Sequence, residues 1–243
     1  MESLRGQLFA ERVRRLPSSC PCARYHQRVT DSVNSGGAGC NPRVIRIEDI
    51  ATDAAFRRLE SLRGVSYDLR YASTNNFAGR VLYTAIDCAW LRCEAANGLE
   101  AAAAWLASAR PGWRLVVLDA LRPQRVQEAI WKDVAGTDAA LYFADPVRGS
   151  VHSFGMAVDV TLLGPDGRES DMGSGYDEMA LKSHPAMDAE HLALGVLSAA
   201  QITERGWLHA AMIRGGFSGI PTEWWHFDFG DRDAVRRELP RVM

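Results

Sequence analysis

Asp159 stands inside MAVDVTLL (156–163), a run whose other members are apolar or β-branched and of strand length. A carboxylate left unpaired in such a run costs several kcal/mol, so the fold has to bring it a partner. Upstream the segment reads SVHSFGMAVDV (150–160) and carries His152 seven positions before the aspartate. Gly155 allows a sharp change of direction between the two, and Ala157 is small enough to sit close to a centre. A metal shared by His152 and Asp159 is one resolution. An arginine or backbone amides around Asp159 is the other, and this segment alone leaves both open.

The rest of the chain suits one sizeable domain with an appendage. It has 243 residues, 47% of them hydrophobic, and a net charge of −2. That balance gives no support to a nucleic-acid partner. Of the 28 basic residues only Lys132 and Lys182 are lysines, which reads as compositional bias rather than a binding patch. The five cysteines (20, 22, 40, 88 and 93) are odd in number, and Cys20-Pro-Cys22 fits neither zinc nor redox spacing; reduced, incidental thiols are expected. No apolar run is long enough for a membrane span. No convincing secretory signal is present, which favours the cytoplasm and leaves a periplasmic route open. Oligomeric state is not legible.

Residues 1–43 hold seven arginines against Glu2, Glu11 and Asp31, followed by Pro-, Ser- and Gly-rich stretches. They read as a basic, disordered extension with a short helix near 3–15. Globular signals begin at about 44. VIRIEDI suggests a strand or turn entry, and DAAFRRLESLR a short helix. A strong helix is expected over 98–109, closed by Pro111-Gly112, and RLVVLDAL (114–121) is a strand. Pro123 opens a helix through QRVQEAIWKDV, and GPDG (164–167) turns the chain after the central strand. Further helices are expected at 187–198 and 199–214, and a last strand at WWHFDF (224–229). Strands separated by helices without strict βαβ alternation indicate an α+β domain, with a small, mostly antiparallel sheet packed by helices.

Six histidines are available. His26 lies in the extension. His191 and His209 fall on helices, at exposed or core-edge positions, and His184 precedes a proline with no evident partner. His152 and His226 each have a carboxylate nearby. Catalytic zinc takes three ligands from His, Asp or Glu and leaves a fourth position open, and His152, Asp159 and His226 would make such a set. Glu223 stands three residues before His226 in EWWHF. It can serve as a base only if it sits on a turn ahead of the strand, since positions i and i+3 of a strand face opposite sides. The plainer alternative is an aromatic core strand with a surface glutamate. Arg122, at the strand end DALRP, could stabilise an oxyanion or simply pair with Asp119.

Together, DLRYASTNNFAGRVLY (68–83), LDALRPQRVQ (118–127), SVHSFGMAVDVTL (150–162), MGSGYDEM (172–179) and EWWHF (223–227) resemble the D-alanyl-D-alanine dipeptidases. These are the VanX-type branch of the zinc peptidases that also include D,D-carboxypeptidases. The resemblance spans about 44–243 and leaves out the basic extension. It implies a single zinc-peptidase domain in which His152, Asp159 and His226 bind one Zn2+. It implies Glu223 as general base and Arg122 as the group that stabilises the tetrahedral intermediate. Asp177 would hold the substrate ammonium, with Ser150 and Tyr71 in the substrate pocket. The implied reaction is hydrolysis of the small dipeptide D-Ala-D-Ala. A D,D-carboxypeptidase or other peptidoglycan peptidase with the same site, or a non-catalytic zinc module, are the competing readings. Phe154 and Met156 depart from the residues common in the family, which bears on pocket shape.

Overall fold

The computed structural model describes residues 44–243. The extension at 1–43, with its expected helix and Cys20, Cys22 and Cys40, lies outside the described residues. Seven strands are found among them: β1 (Phe56–Arg58), β2 (Val65–Tyr67), β3 (Trp90–Arg92), β4 (Arg114–Asp119), β5 (Ala157–Leu163), β6 (Phe217–Gly219) and β7 (His226–Phe229). The α-helices are α1 (Cys93–Ala109), α2 (Gln124–Val134), α3 (Asp188–Ala193), α4 (Ala199–Arg214) and α5 (Arg232–Glu238). Five strands form one sheet in the order β2-β4-β5-β7-β6, parallel only between β2 and β4; β1 and β3 make a separate antiparallel ribbon. The fold is α+β with a mostly antiparallel sheet, as expected. No helix among the described residues is long and apolar enough to cross a membrane.

Helix α1 buries Ala95, Ala96, Leu99, Ala102, Ala103 and Leu106, the i, i+3, i+4, i+7 face of an amphipathic helix. Its small residues let α4 come close. At Gly98 a Cβ would meet Phe229 at 2.5 Å and the Gly215 carbonyl at 2.6 Å, so no larger residue fits that crossing. Ser198 starts α4 with a reciprocal capping box to Gln201. Both helices pack with Val158, Val160 and Leu162 of β5 in the main core.

Several expectations shift. DAAFRRLESLR forms β1 and a 3-10 turn (Leu59–Ser61) rather than a helix, because Phe56–Arg58 finds a strand partner in Trp90–Arg92. VIRIEDI becomes a 3-10 helix over Ile47–Thr52. Helix α1 starts five residues before position 98, once β3 ends. The helix expected at 187–198 stops at Ala193, where the amides of Val196 and Leu197 both fold back onto the His191 carbonyl. Cys88 and Cys93 are buried free thiols.

The C-terminal residues clasp the domain. Val242 is fully buried; its amide donates to Ser153 O at 2.8 Å, and its carbonyl accepts from Gln124 at 2.8 Å. Met243 donates to Ile45 O, and buried Arg92 ties Phe154 O to Pro240 O. This clasp ties the turn that carries His152 to the start of α2.

Candidate active site

Neighbouring strands set three side chains in a row. Asp119 at the end of β4 stands opposite Asp159 on β5, and Asp159 stands opposite His226 on β7. A register shift between Val117 and Asp119 turns the end of β4 relative to its body. His152 comes from the 3-10 turn Val151–Phe154, which ends at Gly155 with φ +67°. A Cβ there would lie 2.9 Å from Phe56, so position 155 needs glycine for conformation and for space.

Asp159 Oδ1 lies 3.0 Å from His226 Nδ1 and 3.3 Å from His152 Nε2, and the two ring nitrogens are 3.1 Å apart. The outward nitrogens have their own partners: His152 Nδ1 is 2.7 Å from Ala120 O, and His226 Nε2 is 3.0 Å from Asp228 Oδ1. Both partners only accept, so in a neutral ring each outward nitrogen carries the hydrogen. Two lone pairs and a carboxylate then face one another in a buried space, which a cation satisfies. The three donor atoms lie within 4.8 Å of one another and fit a metal ion. The surrounding charges also favour positive charge at this place. Burial disfavours a charged His226, yet Asp228 and Asp159 on either side raise its pKa well above the ordinary histidine range. Burial alone would raise Asp159, but the two histidines hold its carboxyl far below the usual range.

Arg122 is buried and pairs with Asp119. Its Nε and Nη2 donate to Asp119 Oδ2 at 2.9 and 2.7 Å, and Nη1 donates to Gln127 at 3.1 Å. Nη2 also lies 3.6 Å from Asp159 Oδ2, and the guanidinium sits over the Tyr71 ring. Asp119 is braced in turn by the Tyr83 hydroxyl. The salt bridge to Asp119 is thus an internal one that orients Arg122.

Asp177 adopts φ +57°, a strained conformation for a non-glycine residue. Its carboxylate lies 3.5 Å from the Tyr71 hydroxyl and 3.4 Å from the Phe77 amide. Removal from water and the nearby Asp159 push its pKa well above the carboxylate range. Glu223 lies on an irregular stretch just before β7, as a base at that spacing requires. Withdrawal from water, reinforced by Asp159, raises its pKa to about 7.

All eight residues singled out from sequence (Tyr71, Arg122, Ser150, His152, Asp159, Asp177, Glu223, His226) line one cavity of about 70 Å3. Other residues there were not anticipated. Asp228 shares a strand face with His226 two positions away, a period-2 signal that was available. Outside that lining, Tyr176 donates its hydroxyl to Asp159 Oδ2 at 3.1 Å from a loop with no periodicity to announce it. Tyr142 lines the cavity and bonds His184 Nε2 at 2.9 Å, so His184 does have a partner. His191 is buried rather than at an edge, whereas His209 is exposed.

A family model described as D-ala-D-ala dipeptidase matches residues 57–243. The D-alanyl-D-alanine dipeptidase of Escherichia coli is 38% identical over 162 residues, which cover 66% of this chain and 77% of the relative. That of Synechocystis is 28% identical over 224 residues, covering 77% and 86%. That of Enterococcus faecium is 30% identical over 189 residues, covering 71% and 89%. With three-quarters of its length matched to that model, the chain belongs to the D-ala-D-ala dipeptidase family of peptidases.

Proposed function

We propose that this chain is a zinc dipeptidase that hydrolyses D-Ala-D-Ala to two molecules of D-alanine. The observation that carries the reading is the convergence of three possible ligand atoms with the carboxyl groups of Glu223 and Asp177 on one small cavity. His152 Nε2, Asp159 and His226 Nδ1 would hold the ion, and a two-histidine, one-carboxylate set suits zinc. Zinc bound there would supply a Lewis acid to the scissile carbonyl and make water more acidic.

The remaining chemistry belongs to side chains. Glu223 takes a proton from the attacking water and passes it to the leaving amine; the water oxygen bonds the carbonyl carbon as the C–N bond breaks. A carboxyl that titrates near neutrality suits both halves of that transfer. Arg122 has five N–H donors, of which Asp119 and Gln127 engage three. Its remaining N–H groups meet the oxygen on which negative charge develops. Asp177 accepts the substrate ammonium beside Tyr71, relieving the cost of its own burial. An N-acylated dipeptide leaves that carboxylate unpaired and is rejected.

The test combines metal analysis of the purified protein with hydrolysis of D-Ala-D-Ala and its N-acetyl form. About one zinc per chain and turnover confined to the free dipeptide are expected. Comparable hydrolysis of the N-acetyl form would favour a carboxypeptidase, and turnover without any metal dependence would reject the reading.

A further inference from the structure

Two arginines in the cavity wall have no part in the mechanism above. Arg232 and Arg236 lie one turn apart on α5 and both line the cavity, on the side of Asp228 and Ser150. Arg236 Nε donates to Gly149 O at 3.0 Å, which anchors the side chain beside Ser150. Its Nη1 reaches Arg232 O and Asp233 only at 3.5 Å, both at the limit of a hydrogen bond. Arg232 Nε donates to Asp228 at 2.8 Å, and its side chain is 47% exposed.

The charges there do not balance. Arg148 stands 3.7 Å from Asp233 and adds to the positive field at Arg236, so three cations face Asp228 and Asp233. Asp228 is also committed to His226. Removal from water, together with Arg148 and Arg232, works against the charge on Arg236. An anion in the cavity would relieve all of these. Asp177, with Tyr71 and Phe77, has the opposite need: its carboxyl is stabilised by a cation. The Arg122 guanidinium over Tyr71 is already paired with Asp119, so the cavity offers the Asp177 carboxylate near Tyr71 and guanidinium groups near Ser150. A short zwitterion matches that arrangement.

We propose that Arg236, assisted by Arg232 and the Ser150 hydroxyl, binds the free C-terminal carboxylate of the substrate. This rests on the dipeptidase reading and extends it, since it makes recognition depend on both ends of the substrate. The half that leaves as an amine carries this carboxylate, so Arg236 holds the leaving group while Asp177 holds the acyl half. Length is then limited from both directions: acylation blocks one end, and extension or amidation removes the charge at the other.

The test compares D-Ala-D-Ala with its C-terminal amide, using the metal-loaded full chain and the variants Arg236→Gln, Arg236→Lys and Arg232→Gln. The native protein is expected to prefer the acid by at least about tenfold. Arg236→Gln should lower kcat/KM for the acid by about 10- to 100-fold, mainly through KM, the scale of a lost charge-assisted hydrogen bond. The acid-to-amide ratio then falls toward one, and Arg236→Lys restores part of it. A defect in metal binding or folding would depress both substrates together and leave the ratio unchanged; that result overturns the proposal. So does a native enzyme that cleaves acid and amide equally well. If Arg236→Gln does not fold, Arg232→Gln, at an exposed position, must lower the ratio, and an unchanged ratio counts against the subsite. Should the native protein not cleave the dipeptide at all, the dipeptidase reading fails. Calorimetric binding of the dipeptide against its amide then decides the subsite separately.

Discussion

Asp228 Oδ1 lies 3.0 Å from His226 Nε2, on the side of the ring turned away from Asp159. The imidazole is thereby clamped between two carboxylates, and its Nδ1 is aimed at the position shared with His152. Arg232 holds the other oxygen of Asp228, so the orienting group is itself oriented. Replacing Asp228 with alanine should weaken zinc binding by about 10- to 100-fold, because such partners fix ring orientation and ligand basicity. Competition with a chromogenic chelator measures this, and unchanged affinity would remove Asp228 from the metal centre.

Glu223→Gln keeps the size of the side chain and removes the proposed base. Zinc content should stay near one per chain while kcat falls by at least about 10²-fold. Near-normal turnover would transfer the proton-moving role to another group.

The raised pKa of Glu223 also has a consequence for stability in the metal-free protein. Its folded pKa of about 7 exceeds the unfolded value of 4.5, so the folded state holds the proton more tightly. This contribution is fully present below pH 4.5 and is lost as pH rises through 7. The loss is of order 1–3 kcal/mol, allowing for partial exposure of the side chain. Urea unfolding of chelator-treated protein at pH 5 and pH 8 should show Glu223→Gln relatively more stable at the higher pH. Equal differences at both pH values would contradict this.

Arg122→Lys preserves charge but loses the planar fork that spans Asp119 and the cavity. A fall of about 10²- to 10³-fold in kcat is expected, with a smaller change in KM. An effect on KM alone would place Arg122 in ground-state binding.

Gly155→Ala tests the turn beneath His152. Left-handed backbone costs about 1 kcal/mol for alanine, and crowding against Phe56 adds about 1–3 kcal/mol. A melting temperature lower by several degrees is expected, together with reduced zinc retention. A variant that melts like the native protein would show that Phe56 moves aside freely.

Much of the site was legible because its parts obey local rules. A charged residue in an apolar strand, as at Asp159, demands a partner, and a histidine beside a turn-borne glutamate suggests one. Arg122 was legible as a choice between salt bridge and catalytic group; the structure shows the salt bridge, buried and next to Asp159, which leaves the guanidinium facing the cavity. The strand made from DAAFRRLESLR was not legible, because its partner Trp90–Arg92 lies more than thirty residues away. The same holds for Tyr142 and His184, which meet across 42 positions. Arg232 and Arg236 belong to no motif read from the sequence; only the position of α5 at the edge of the cavity brings them forward.

The clasp made by residues 240–243 has a bearing on biosynthesis. The turn bearing His152 and the start of α2 both depend on Val242, and His226 and α5 also come late in the chain. A nascent polypeptide can emerge with β4, β5 and α4 translated and still lack the means to retain a metal ion. Capture of an ion by His152, Asp159 and His226 would thereby be deferred until nearly all of residues 44–243 have left the ribosome, and a truncated translation product would be released without the complete ligand set.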